Sequence, residues 1–188
     1  MINQNKYGYY SITLRKANDT PLLRSNDERA FVIAQLQDML SHRLAIQELP
    51  DYTQFASCID LLCFMINRRS INLLIFAIDH TFVTLLAEKL KDRLVAQQTE
   101  QFSPVMHTNA NLSVSIRQLA GPHTALTESI RIHQLSTDWE YDRYSSIGFY
   151  LHDRRGDWMR IWRLTKLYDN DPANYRSMLI TTPVLGSC

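Results

Sequence analysis

Residues 7–14, YGYYSITL, place aromatic and β-branched side chains in a short run, which predicts a first strand. Ser25, with Glu28 three positions later, has the pattern of a capping box. Val32, Leu36, Met39 and Arg43 recur behind it at helical spacing, so a helix is expected over 27–44, with Pro50 in the return loop. Two apolar runs follow, CIDLLCFMI over 58–66 and NLLIFAI over 72–78. Their length suits strands covered on both faces, and the intervening NRRS suits a hairpin turn. Over 81–98, Val83, Leu86, Leu90 and Leu94 line one side of a second helix, with polar residues opposite. No periodicity survives over 102–110, whereas LSVSIRQL over 112–119 alternates and predicts a half-buried strand. Gly121-Pro122 breaks the chain and a helix over 124–135 follows. The tail predicts two more helices, one over 157–168 and one starting at Pro172, a residue that suits a helix's first turn.

Strand, helix, two strands, helix, strand, helix is an α+β order: a small, mainly antiparallel sheet with helices packed on it, followed by a helical tail. With 188 residues, 45% of them hydrophobic, the chain can bury a real core. It reads as an α+β domain over 1–140 with a helical C-terminal extension over 141–188 packed on the same domain. Five glycines, six prolines and no repeat of fixed period exclude collagen-like, solenoid and disordered architectures. No apolar run is long enough to span a bilayer, and MINQNKYGYY lacks the apolar core of a signal peptide, so a cytoplasmic protein without membrane contact is expected.

Cys58, Cys63 and Cys188 are odd in number and lack CxxC spacing, which argues against a disulfide framework and against structural zinc. Cys58 and Cys63 read as small apolar strand residues. His42, His80, His107, His123, His133 and His152 are scattered, without the paired spacing of a zinc site, and read as surface or capping residues. The formal net charge of +1 on its own weighs against a nucleic-acid protein, so the clustering of charge matters more than its sum. Arg68 and Arg69 share the hairpin turn, Lys89, Lys91 and Arg93 share a short segment, and Arg154, Arg155, Arg160, Arg163 and Lys166 gather towards the C-terminus. Each cluster taken alone reads first as solvated surface.

Short motifs in the C-terminal third carry a resemblance. Tyr144-Ser145-Ser146, Tyr150-Leu151, Asp157-Trp158-Met159, Leu167-Tyr168, Asp171-Pro172 and Tyr175-Arg176 occur in this order. The HUH single-tyrosine transposases of the REP-associated group carry a similar series: Tyr-Ser-Ser or Trp-Ser-Ser, Tyr-Leu, an Asp-Trp-Leu helix ending in an aromatic residue, acidic residues and a Tyr-Arg helix. YYSITLRKANDTPLLRSNDERAFVIAQL resembles that group's opening strand, Arg-containing loop, Pro-Leu-Phe-like step at Pro21-Leu22-Leu23 and acidic helix start. Phe64-Met65, followed by Leu73-Leu74-Ile75, sits where the family has Tyr-Val-Leu-Met-Pro-Asn-His-x-His-Leu-Leu. The resemblance covers most of the chain, is weakest over 97–111, and rests on the shared order of the motifs.

The resemblance implies single-stranded DNA cleavage by a tyrosine oxygen, leaving a covalent 5′-phosphotyrosine, with a divalent metal polarising the phosphate. Residues i and i+2 of a strand face one side, so a His-x-His pair can hold one ion. Here those positions fall on Ser70 and Asn72, a poor ligand and a weak neutral oxygen donor, and no His-x-His occurs anywhere in the chain. Ile130-Arg131-Ile132-His133-Gln134-Leu135 best matches the family's nucleophile helix, Arg-Tyr-Ile-His-Leu-Asn-Pro-Val, and puts Arg131 in the tyrosine's place. The resemblance therefore implies a transposase relative with no catalytic residues left, its degenerate positions being Ser70, Asn72 and Arg131, and no metal cofactor.

DNA binding can outlast cleavage, because phosphate contacts and base stacking use other residues. Arg15, Lys16, Arg68, Arg69, Arg131, Arg154, Arg155 and Arg160 are the candidate DNA-binding residues. Arg131 in particular would pair with a phosphate without cutting it. Tyr144, Trp158, Trp162 and Tyr168 have rings suited to stacking, but they also fit a packed helical face, and core is the expected role. The leading expectation is a domesticated, catalytically inactive protein that recognises hairpin or single-stranded DNA, with transcriptional regulation as one use and a homodimer implied by the resemblance. A protein-interaction module that has dropped DNA binding, and an active transposase or nuclease with an atypical site, are the alternatives.

Overall fold

The computed structural model describes residues 7–18, 20–41, 53–101 and 112–183. In chain order these form β1 (Gly8–Lys16), α1 (Asn26–Leu40), α2 (Thr53–Cys58), β2 (Ile59–Ile66), β3 (Ser70–Ala77), α3 (His80–Gln101), β4 (Leu112–Leu119) and α4 (Pro122–His133). The tail adds α5 (Ile147–Leu151), α6 (Trp162–Thr165), a 3₁₀ turn (Lys166–Tyr168) and α7 (Pro172–Thr181). The strands make one antiparallel sheet in the order β2-β3-β1-β4. Thus β1 and β2 run parallel with β3 between them, the split β-α-β arrangement of ferredoxin-like topology. The expected α+β class is the one observed. Among the described residues no helix is long and apolar enough to cross a membrane.

Local chemistry sets the ends of these elements. Ser25 caps α1, accepting from the Glu28 amide at 3.1 Å, while the Glu28 carboxylate reaches back to the Ser25 amide at 3.3 Å, so the capping box is closed in both directions. Val32, Leu36 and Met39 turn into the core. The helix ends at Leu40 rather than residue 44; Arg43, His42 and Pro50 lie outside the described residues, as does His107. The hairpin turn is tighter than NRRS suggested, because Ser70 already belongs to β3. The Asn67 side-chain oxygen accepts from the amides of Arg69 at 2.9 Å and Ser70 at 2.8 Å, and the Asn67 amide donates to the Ser70 carbonyl at 3.0 Å, so side chain and backbone close the turn together. Cys58 is not a strand residue; it ends α2, a helix too short to show a period. Cys63 is a buried β2 residue, as read.

Alternation divides the sheet into two faces. Tyr10, Ile12, Leu14, Ile71, Leu73 and Ile75 are buried on the face covered by α1 and α3, where Val83, Leu86, Leu90 and Leu94 pack as their spacing required. The opposite face carries Tyr9, Ser11, Thr13 and Arg15 of β1, and α4 crosses it. The last third of the chain then lies along the outer edge of β2. Ile66 donates to the Tyr144 carbonyl at 2.9 Å, Ser146 to Phe64 at 2.9 Å, and Arg160 to Leu61 at 2.8 Å. This pairing is why the helix expected over 157–168 is reduced to α6 and a 3₁₀ turn: the chain around Met159 bridges Leu61 in extended form and cannot coil until Leu61 is passed.

Tyr144, Ser145 and Ser146 are all buried at this seam. The Ser146 hydroxyl accepts from the Phe64 amide at 2.9 Å and lies 2.8 Å from His133 Nε2. Imidazole Nδ1 is 2.8 Å from the Tyr175 hydroxyl, so both ring nitrogens of His133 are partnered. His133 is therefore a core residue and not a surface or capping one. It bonds α4 to the Ser146 segment and to α7, and burial pushes its pKa down to about 3.

Candidate functional site

The antiparallel register sets Thr13 opposite Asn72 and Arg15 opposite Ser70, so these four side chains share the face that α4 crosses. The hairpin turn adds Arg69, the last turn of α4 adds Arg131, and the chain just past α4 adds Leu135. Together the seven residues line a cavity of about 330 Å³. Ser70, Asn72 and Arg131, far apart in sequence, thus meet in one place, and Arg15 and Arg69 meet them there.

The floor of the cavity is neutral and internally bonded. Thr13 donates to the Asn72 carbonyl oxygen at 3.2 Å, the Asn72 amide donates to Ser70 Oγ at 2.8 Å, and Ser70 Oγ lies 3.3 Å from the Asn67 carbonyl oxygen. A divalent cation would find one amide oxygen already accepting a hydroxyl, one serine hydroxyl and three guanidinium groups around them. Such a donor set does not fit a hard cation. Among the described residues, no tyrosine, histidine, cysteine or carboxylate lines the cavity. Among the described residues, no group of three or more His, Cys, Asp or Glu is placed to hold a metal ion.

Behind the cavity, Glu128 fixes Arg131. Its carboxylate receives Arg131 Nη2 at 2.7 Å and Nε at 2.9 Å, Arg117 at 2.8 Å and the Ser11 hydroxyl at 2.7 Å. Burial would raise the Glu128 pKa. The hydrogen bonds from Arg131 and Ser11, with the charges of Arg131 and Arg117, outweigh it and hold the carboxyl below its ordinary value. The hydrogen bond to Glu128 in turn raises the Arg131 pKa against the opposing effect of burial. One buried carboxylate thus anchors two guanidiniums, leaving a net positive charge at this end of the sheet. A second cavity of about 190 Å³ lies on the other side of the same ion pair, lined by Arg117, Thr124 and Gln134 among others.

The remaining expected DNA-binding residues disperse. Lys16 alternates onto the opposite face of β1; desolvation and the Arg24 charge lower its pKa, with Glu28 opposing them. Arg68 is exposed in the turn, and its carbonyl accepts from Leu23 at 3.0 Å. Arg154 lines a separate cavity of about 400 Å³ with Arg143, Tyr144 and the first turn of α1. Arg155 is exposed, and Arg160 lies at the outer edge of β2. Proximity in sequence near the C-terminus therefore does not become one basic surface with the cavity. Ser11, Thr13, Arg117 and Glu128 were not singled out from sequence. The alternation of SITLR and LSVSIRQL held the signal, since Ser11, Thr13 and Arg15 must share a face, as must Ser113, Ser115 and Arg117.

Of the rings considered for stacking, Tyr144, Trp158 and Tyr168 are buried. Trp162 is not: it stands 47% exposed, so the core assignment fails for it. No family model, curated protein or solved structure matches the chain.

Proposed function

We propose that this protein binds nucleic acid through the cavity at the β1–β3 end of the sheet, that its ligand is hairpin or single-stranded DNA, and that it does not cut what it binds. The observation that carries the reading is the set of three guanidiniums, Arg15, Arg69 and Arg131, around a neutral Thr13, Ser70 and Asn72 floor with no carboxylate among the described residues of the lining. Guanidinium is suited to phosphate because its planar fork bonds two oxygens at once, and Arg131 is oriented for this by Glu128. The hydroxyl and amide groups of the floor add neutral polar partners for a phosphate or sugar. The preference for hairpin or single strands comes from the likeness to REP-associated transposases, as do use in gene regulation and assembly as a homodimer. Absence of cleavage follows from residues 70, 72 and 131 supplying neither a metal-binding imidazole pair nor a tyrosine.

The test is a gel-shift series with fluorescent hairpin, single-stranded and duplex DNA, with and without magnesium or manganese, run on native and denaturing gels. A hairpin- or strand-selective shift without a denaturant-resistant band is expected. The Arg15→Ala/Arg69→Ala double variant should flatten the slope of log affinity against log salt by about 1.4, at ~0.7 per lost phosphate contact on single strands. No shift for any DNA at low salt would overturn the reading. A metal-dependent covalent band would overturn the assignment of an inactive site.

A further inference from the structure

Arg117, Arg131, Arg163 and Arg176 each rest on a carboxylate of Glu128, Asp60 or Glu140. Arg29, Arg143 and Arg154 differ: among the described residues no carboxylate comes within ion-pair distance of them, and aromatic rings hold them instead. The Arg29 guanidinium lies 4.0 Å from the Tyr144 centroid and that of Arg143 lies 4.8 Å from it, with Arg143 Nη2 donating to the Tyr144 hydroxyl at 2.6 Å. The Arg154 guanidinium lies 5.0 Å from the Phe149 centroid. A ring supports a cation without cancelling its charge, and leaves most of its N–H donors open. Backbone fixes Arg154 as well. Asp153, at φ 53° in the left-handed region, turns the chain so that the Arg154 amide returns to the Gly148 carbonyl at 3.1 Å. The Arg154 stem then packs directly over Gly148, where an added Cβ would lie 3.4 Å from its Cδ.

These side chains converge on one space. Arg143, Arg154 and Tyr144 line the cavity of about 400 Å³ together with Asp27, Ala30 and Ile33 of α1. Its lining sets two guanidiniums against the single carboxylate of Asp27, and Arg29 adds a third cation over Tyr144. Ala30, Ile33 and the Tyr144 ring give an apolar bed. Ser25 already caps α1, so an anion's partners here are the guanidiniums and not the helix end. The volume falls among those of small-molecule sites, about 300–1,000 Å³. Two forked donors exceed what one carboxylate can use. They match a phosphate monoester, which carries roughly −1.5 to −2 charges near neutral pH on three free oxygens. A phosphodiester link, with one charge and two free oxygens, matches them less well.

We propose that this cavity binds a small phosphate monoester with an apolar or aromatic body, its phosphate on Arg143 and Arg154 and its body on Ala30, Ile33 and the Tyr144 ring. The site shares no lining residue with the cavity of Arg15, Arg69 and Arg131 and does not depend on the nucleic-acid reading. One wall belongs to α1 and the other to the segment that seals β2, so an occupant ties the two together and stabilises the folded chain.

The experiment titrates phenyl phosphate, inorganic phosphate and phenol into the native protein, followed by ligand-observed nuclear magnetic resonance and by the melting temperature. Arg143→Gln, Arg154→Gln, Arg154→Lys, Ile33→Asn and Arg15→Ala/Arg69→Ala are compared with it. Phenyl phosphate should bind saturably, raise the melting temperature, and bind about fivefold or more tighter than either fragment. Arg143→Gln and Arg154→Gln should each weaken it about tenfold, Arg154→Lys should recover part of that loss, and Ile33→Asn should abolish the preference over inorganic phosphate. The Arg15→Ala/Arg69→Ala variant should bind it like the native protein. Arg143 and Arg154 are exposed, so unliganded melting temperatures close to native are expected and separate a lost contact from a lost fold. Absence of saturable binding at millimolar phenyl phosphate would overturn the proposal. So would binding that survives Arg143→Gln and Arg154→Gln but is lost in Arg15→Ala/Arg69→Ala, which would move the anion to the other cavity.

Discussion

His133 makes the fold sensitive to mild acid in a calculable way. Its ring is wholly buried, with Tyr175 and Ser146 on its two nitrogens and Cys63 Sγ 3.3 Å from Nε2. Desolvation pushes its pKa down to about 3, against an ordinary value near 6.5. The folded chain therefore stays unprotonated at this site while the unfolded chain takes up a proton, so stability is complete above about pH 6.5 and is lost as pH falls towards 3. At pH 7.5 the loss is negligible. At pH 5 it follows from the ratio of the unfolded to the folded proton-binding polynomial, about 30 to 1, which is about 2 kcal/mol. Neighbouring groups do not blur this window: burial raises the pKa values of Cys63, Tyr150 and Tyr175, which remain neutral in acid. Glu128, whose pKa is lowered, begins to lose its contribution only below its ordinary range near 4.5. The assay is urea unfolding followed by far-ultraviolet circular dichroism at pH 7.5 and pH 5.0, on the native protein and His133→Gln. The variant starts less stable, but its drop between the two pH values should be about 2 kcal/mol smaller, since all other histidines cancel in the comparison. Equal drops in the two proteins would refute the claim that His133 is held neutral.

Two further predictions concern single contacts. Arg131→Ala leaves the buried Glu128 carboxylate with Arg117 and Ser11 only, and should cost about 1–3 kcal/mol in denaturant unfolding; Arg131→Lys should recover part of it, and no loss in either would show that Arg117 suffices. A Cβ added at Gly156 would lie 2.6 Å from Trp158 Nε1, so Gly156→Ala must displace a buried indole. It should cost about 1–3 kcal/mol and change the near-ultraviolet dichroism of the tryptophans, whereas unaltered spectra would mean that the backbone yields instead.

The sheet and its principal helices were legible because their signals are local. Ser25 and Glu28 mark a helix start by chemistry confined to one turn, and LSVSIRQL alternates strictly enough to give both bounds of β4. What sequence could not show depends on partners distant along the chain. The segment around Met159 has helical composition but finds backbone partners on Leu61, and that tertiary pairing overrides its local preference. His133 looks like any polar residue near a helix end until α7 brings Tyr175 over it. Trp162 follows an apolar pattern, yet α6 is so short that its ring is carried past the core and onto Arg163 and Lys166. The cavity was legible only in parts. Ser70 and Asn72 share a strand, but nothing local indicates that Arg131, on the far side of α3 and β4 in sequence, ends beside them, or that Lys16 turns away while Arg15 stays.

The seam along β2 also ties the timing of folding to synthesis. Phe64 and Ser146, which bond through both backbone and side chain, are 82 positions apart, and Leu61 waits longer still for Arg160. A growing chain thus exposes β2 of a nearly finished sheet, apolar along almost its whole length, before its cover exists. Long loops must close before that edge is sealed, which slows the last step and leaves the edge open to pairing with another chain until the Tyr144-Ser145-Ser146 segment has docked.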